Sequence, residues 1–101
     1  MATVKLKFAP VSLMADLLLR SNATEIAQKA LKEGLYTESA LFEVDGDSAD
    51  AAEDAFDLTN NPSRQEEREE KYGRGRSLSV GDVVVVGEEQ WLCASMGWVE
   101  V

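Results

Sequence analysis

The sequence has no histidine, one cysteine (Cys93) and two prolines. Without histidine, the commonest general base and the commonest metal ligand are both missing. A Ser-His-Asp triad, a Cys-His dyad and a histidine-bearing zinc site are excluded. A lone cysteine rules out an internal disulfide framework and fits a reducing cytoplasm. Cations are scarce too: 10 Lys and Arg stand against 19 Asp and Glu, a formal net charge of −9. A field of that sign repels nucleic acid and anionic lipid. The expected partner is therefore a protein with a basic surface, with no direct nucleic-acid or membrane contact. No apolar run approaches the roughly 20 residues of a membrane helix. The first twenty residues, broken by Lys5, Lys7, Pro10 and Asp16, do not read as a secretory signal. The cytoplasm is the expected location.

What is present suits one domain over residues 1–101, with 45% hydrophobic and 29% charged residues. Val4, Leu6 and Phe8 alternate with Thr3, Lys5 and Lys7, the period of a half-buried strand over 2–8. Residues 11–20, "VSLMADLLLR", fit a helix or turn as well as a short strand. Asn22 with Glu25 has the form of a capping box, and Ile26, Ala27, Ala30 and Leu31 share one face before Gly34. That pattern predicts a helix over 22–33. Residues 35–44 mix periods, with Leu41, Phe42 and Val44 in a strand or in irregular packing.

Asp47 opens a second expected helix, roughly 48–59, burying Ala51, Ala52, Ala55, Phe56 and Leu58. Asn61 as cap and Pro62 at the first helical position predict a third, polar helix supported by Glu67 and Lys71. The last quarter reads as strands: the valine run 83–86, a turn at Gly87, "QWLCAS", a turn at Met96-Gly97, and "WVEV". The expected fold is α+β, a small antiparallel sheet whose C-terminal meander packs against two or three helices.

At "YGRGRSLSVGDV", followed by Trp91 and the Gly97-Trp98 pair, the chain resembles the YodL-like family of small bacterial, plasmid and phage proteins. The matching positions are Tyr72, Gly75, Ser77, Leu78, Ser79, Val80, Gly81, Asp82, Val83, Trp91, Gly97 and Trp98. The resemblance covers roughly residues 22–101, while "RQEEREEK" is an insertion against the family pattern. It implies a small α+β accessory domain of mobile elements and their hosts, with no catalytic activity to transfer.

In the turn Ser77, Ser79, Gly81 and Asp82, no base stands ready to activate a serine, so these residues read as structural. "DGDSAD" fails the EF-hand spacing, with Ala49 at a ligand position, Asp50 in place of glycine and Phe56 in place of the bidentate glutamate. No metal and no cofactor is expected. Asp50, Glu53, Asp54 and Asp57 fall at i, i+3, i+4 and i+7; with Asp47 they form an outward acidic face able to imitate a row of phosphates. Trp91 and Trp98 suit the core of so small a meander; an exposed one would mark a partner or homodimer surface. Arginines 64, 68, 74 and 76 are interleaved with glutamates, which argues against a phosphate contact and for a mobile mixed-charge segment hinged at Gly73–Arg76.

The expected function is that of a non-catalytic interaction protein of phage or mobile-element origin. It binds and inhibits a host nucleic-acid-handling or defence protein by acidic mimicry of DNA. The alternative is a small-ligand or divalent-metal sensor using the acidic loop.

Overall fold

In the computed structural model, which describes residues 1–101, the alternating N-terminal segment forms strand β1, Ala2–Phe8. The undecided segment after Pro10 is a helix, α1, Val11–Leu19, and α2 follows at Ala23–Lys32. Two fragments, β2 (Thr37–Glu38) and β3 (Phe42–Val44), precede α3, Ser48–Asn60. A 3₁₀ turn at Pro62–Arg64 leads into α4, Gln65–Lys71. The meander closes the chain as β4 (Val83–Val86), β5 (Glu89–Cys93) and β6 (Trp98–Glu100). The fold is α+β, and every strand pairing is antiparallel.

The strand order is β2-β1-β4-β5-β6, with β3 pairing the same edge of β1 as β2. β2 and β3 thus act as one border strand broken at Ser39. The break leaves the Leu6 amide without a carbonyl partner, and the Ser39 hydroxyl accepts its hydrogen at 2.9 Å. The Ser39 amide in turn donates to the Leu6 carbonyl at 2.9 Å. One side chain repairs the ladder, since a buried backbone amide left unpaired is costly.

Side chains alternate across a sheet, so consecutive valines of β4 point to opposite faces. Val84 and Val86 join Val4, Leu6 and Val44 under Ala51, Ala52, Ala55 and Leu58 of α3, which crosses five of the strands. Val83 and Leu92 point the other way, to Leu17 of α1, Ala27 and Ala30 of α2, and Tyr36. The sheet therefore has a helical layer on each face, and this explains why β4 is apolar at every position. Burial of each such Val or Leu side chain contributes about 1.5–3 kcal/mol.

α2 ends at Gly34, with φ +70 and its amide on the Leu31 carbonyl at 3.1 Å. Its start departs from the expected capping box, because the Asn22 side chain makes no cap hydrogen bond. Asn22 has φ −100 and ψ 31 rather than the extended backbone that aims a cap side chain at the first-turn amides. Asn61, by contrast, accepts from the Ser63 amide at 3.0 Å ahead of Pro62.

Candidate functional site: an acidic helical layer

The layer formed by α3 and α4 carries most of the molecule's charge. Between Asp45 and Tyr72 there are ten carboxylates against Arg64, Arg68 and Lys71, a local balance of −7. On the opposite face, residues 10–36 are neutral: Asp16, Glu25 and Glu33 match Arg20, Lys29 and Lys32.

The chain turns at Asn61–Pro62 and brings Arg64, just ahead of α4, onto the α3 carboxylates, while Arg68 of α4 lies at the C-terminal end of α3. Arg64 Nη1 donates to Asp54 Oδ1 at 2.8 Å and to Asp57 Oδ2 at 2.9 Å. Its Nε and Nη2 grip the two oxygens of Glu67, each at 2.9 Å. Hydrogen bonds from Arg64, then Lys71, hold the Glu67 carboxyl down to about 2. The same contacts, Glu67 first, push the Arg64 guanidinium further into its charged form.

These contacts correct the picture of four free carboxylates in a stripe. Asp54 and Asp57 are neutralised by Arg64, and Asp54 also accepts the Asp45 amide at 2.9 Å. Glu53 is exposed but accepts the Trp98 indole N–H at 2.7 Å. Asp47 precedes α3 with its side chain exposed and engaged in no cap bond, and Asp50 is exposed without a side-chain partner. The exposed carboxylates of this layer are therefore Asp45, Asp47, Asp50 and Glu53 at the start of α3 and Glu66, Glu69 and Glu70 on α4. The three α4 glutamates are hidden in the sequence by the interleaved arginines, which suggest cancelled charge until Arg64 and Arg68 are seen to turn inward.

Trp91 and Trp98 are half-buried against the α3 side of the sheet. Trp98 meets Phe56 edge-on at 6.2 Å, and the Trp91 indole donates to Glu89 at 3.0 Å. Neither stands free as an aromatic anchor, because both rings complete the seam between the meander and α3.

The serine turn is built around Asp82, a carboxylate with no solvent exposure. Its Oδ1 accepts the Ala9 amide at 2.8 Å and its Oδ2 the Ser79 amide at 2.9 Å. Arg76 reaches both oxygens at 2.8 Å while lying over the Phe8 ring. Gly81 sits at φ +99, where a Cβ would meet Leu17 Cβ at 3.0 Å. Ser77 donates to the Thr59 carbonyl at the C-terminal end of α3.

The expected hinge at Gly73–Arg76 is instead tied down. Arg68 donates to the carbonyls of Thr59, Gly73 and Gly75, and the Tyr72 hydroxyl donates to that of Arg76 at 2.7 Å. Arg68 is well matched to the negative end of α3. The charged segment is a helix with a pinned exit, because Arg64, Arg68 and Arg76 bond to carbonyls and carboxylates, while Arg74 is exposed.

Burial, then Asp82 and Glu53, pushes the Cys93 thiol up to about 11, which suppresses its thiolate. No group of three or more His, Cys, Asp or Glu side chains is placed to hold a metal ion. No helix is long and apolar enough to cross a membrane. No protein-family model matches this chain, and no curated protein and no solved structure is significantly similar to it.

Proposed function

We propose that this chain is a non-catalytic interaction protein whose acidic α3–α4 layer binds a basic surface of a host protein that handles nucleic acid. Binding there inhibits the host protein by occupying the place of DNA. The observation that carries this reading is the segregation of charge: −7 over residues 45–72 and a neutral layer on the other face. A basic groove that attracts phosphates attracts this layer by the same field, which accelerates encounter.

Geometry supports the reading in two ways. At about 1.5 Å per residue, α3 carries Asp47, Asp50 and Glu53 along about 9 Å at its N-terminal end; duplex DNA carries about one charge per 1.7 Å of its axis. The row is also preorganised, because Arg64 and Arg68 fix α4 against α3 and against the end of the serine turn. Less ordering is then needed on binding. The resemblance of the Tyr72–Trp98 pattern to the YodL-like family supports an origin in a phage or other mobile element, acting in a bacterial cytoplasm.

The test is capture from bacterial lysate by the wild-type chain and by an Asp50→Lys, Glu66→Lys, Glu70→Lys variant. These three side chains make no hydrogen bond or ion pair within the fold, but Asp50 and Glu66 stand in helix first turns, so the variant is used only after its circular dichroism spectrum matches the wild type. The wild type should retain a basic nucleic-acid-binding protein that duplex DNA releases, and the variant should not. Equal capture by both chains would sink the reading.

A further inference from the structure

The turn between β3 and α3 carries the step Asp45-Gly46, the one place in the chain where Asp or Asn is followed by glycine. The Asp45 side chain is exposed and makes no hydrogen bond or ion pair, while its own amide is fixed to Asp54 Oδ2 at 2.9 Å. Gly46 has φ +90, and a Cβ there would meet Asp50 Cβ at 3.1 Å and the Ala51 nitrogen at 3.2 Å. The turn therefore demands glycine at this position. The Gly46 amide lies outside the strand and helix ladders and donates to no acceptor.

We infer that Asp45 is a site of covalent self-modification, converting to isoaspartate through attack of the Gly46 amide nitrogen on its side-chain carboxyl. The inference does not depend on the function proposed above. In the first step a bond forms from the Gly46 nitrogen to Asp45 Cγ. The Cγ–OH bond of the protonated carboxyl breaks, and the hydroxyl leaves as water with the amide proton. The product is a five-membered succinimide ring. Water then opens the ring. Attack at Cγ restores aspartate, and attack at the main-chain carbonyl carbon leaves the chain running through Cβ and Cγ. Only water is lost and regained, so the mass of the chain is unchanged.

Three features select this residue. Glycine has no side chain to crowd the attacking nitrogen, and no acceptor holds the amide proton that must leave. Gly46 also packs against the first turn of α3, at the Ala51 nitrogen. The partial positive charge of that helix end favours the negative charge that develops on the nitrogen and on the Cγ oxygens. The other aspartates lack this combination. Asp16, Asp50, Asp54 and Asp57 lie within helices, and Asp82 is buried ahead of β4. Asp47 shares the turn, but the Cβ of Ser48 crowds the nitrogen beside it.

The conversion lengthens the main chain by one carbon between two fixed points. Val44 of β3 and Ala51 of α3 have no solvent exposure and belong to one core. Close packing leaves no slack to absorb the extra carbon. The start of α3 must shift, at the expense of the Asp45 amide contact with Asp54.

Prolonged incubation of the folded full chain in mildly acidic buffer tests the inference, with the chain in guanidinium chloride as the unfolded control. Electron-transfer fragmentation of proteolytic peptides distinguishes isoaspartate from aspartate at equal mass and locates it. Methyl transfer by an isoaspartyl methyltransferase counts it. Isoaspartate should accumulate in the folded chain at Asp45, ahead of Asp47 and of every other position. The converted fraction, separated by ion exchange, should unfold at a lower urea midpoint than the starting chain. Asp45→Glu, which would have to close a six-membered ring, should lose the signal with the circular dichroism spectrum retained. The wild-type map stands without any variant should Asp45→Glu disturb the turn. A folded chain that carries no isoaspartate at Asp45 overturns the inference, whatever the unfolded control shows. So does isoaspartate confined to another position, or a signal that Asp45→Glu leaves intact.

Discussion

The guanidinium of Arg76 spans both carboxylate oxygens of Asp82, each at 2.8 Å, and Asp82 is completely buried. This pair joins the end of β1, through the Ala9 amide, to the turn that launches β4. Asp82→Ala strands the Arg76 charge and two backbone amides together. Loss of one partner of a buried, hydrogen-bonded ion pair costs about 3–5 kcal/mol. Urea unfolding should show a loss in the lower part of that range, since Arg76 itself is partly exposed. An unchanged midpoint would show that the pair contributes nothing.

Gly81→Ala should destabilise the fold by about 1–3 kcal/mol, from backbone strain and from overlap with Leu17. Leu17→Ala alone also destabilises, by removing a buried side chain. The double variant should be less damaged than the sum of the two, because the overlap disappears with the leucine. A thermodynamic cycle measures this coupling, and strict additivity would place the entire cost in the backbone.

Acid should loosen the α3–α4 layer. Glu67 has its folded pKa held below the ordinary 4.5, at about 2. Its contribution is therefore present above pH 4.5 and is lost as pH falls toward 2. Glu38, lowered by its hydrogen bond to Lys5 and then by the Lys5 charge, acts in the same sense at the broken border strand. Both groups are open to solvent, so the effect is modest and salt-sensitive. Glu67→Gln should flatten the stability curve of the chain between pH 5 and pH 2, measured by urea titration at each pH.

Cys93 should resist thiol reagents. With its pKa raised from 9.0 to about 11, the folded thiol is almost entirely protonated at pH 8. Dinitrothiobenzoate should label it slowly in buffer and rapidly in denaturing urea. The raised value also means that this contribution is present below pH 9 and is lost as pH rises toward 11. Fast labelling of the folded chain would show the β5 end to be open.

Much of the local structure was legible because it rests on short-range patterns. The valine run 83–86 announced a strand covered on both faces, and Asn61-Pro62 announced a helix start. Glu67 and Lys71 form their expected i,i+4 pair at 3.2 Å. What could not be read was which charges meet across long separations. Arg64 reaches Asp54 only because the chain turns at Pro62, and Lys5 reaches Glu38 at 3.0 Å only because β2 lies beside β1. Ser39 shows no periodic signal at all, since its role exists only where a strand is broken. α1 stayed undecided for a related reason: an apolar segment with two apolar faces has no single face to point inward.

The outer borders of the sheet have a consequence for how this chain meets others. One border is broken into two- and three-residue pieces at Ser39, and the other is the three-residue β6. Edges this short give an incoming strand too few amides and carbonyls to add on and extend the sheet. Strand-by-strand aggregation and capture of extended peptides are both discouraged. The two helical layers present side chains instead, net acidic on one face and charge-balanced on the other.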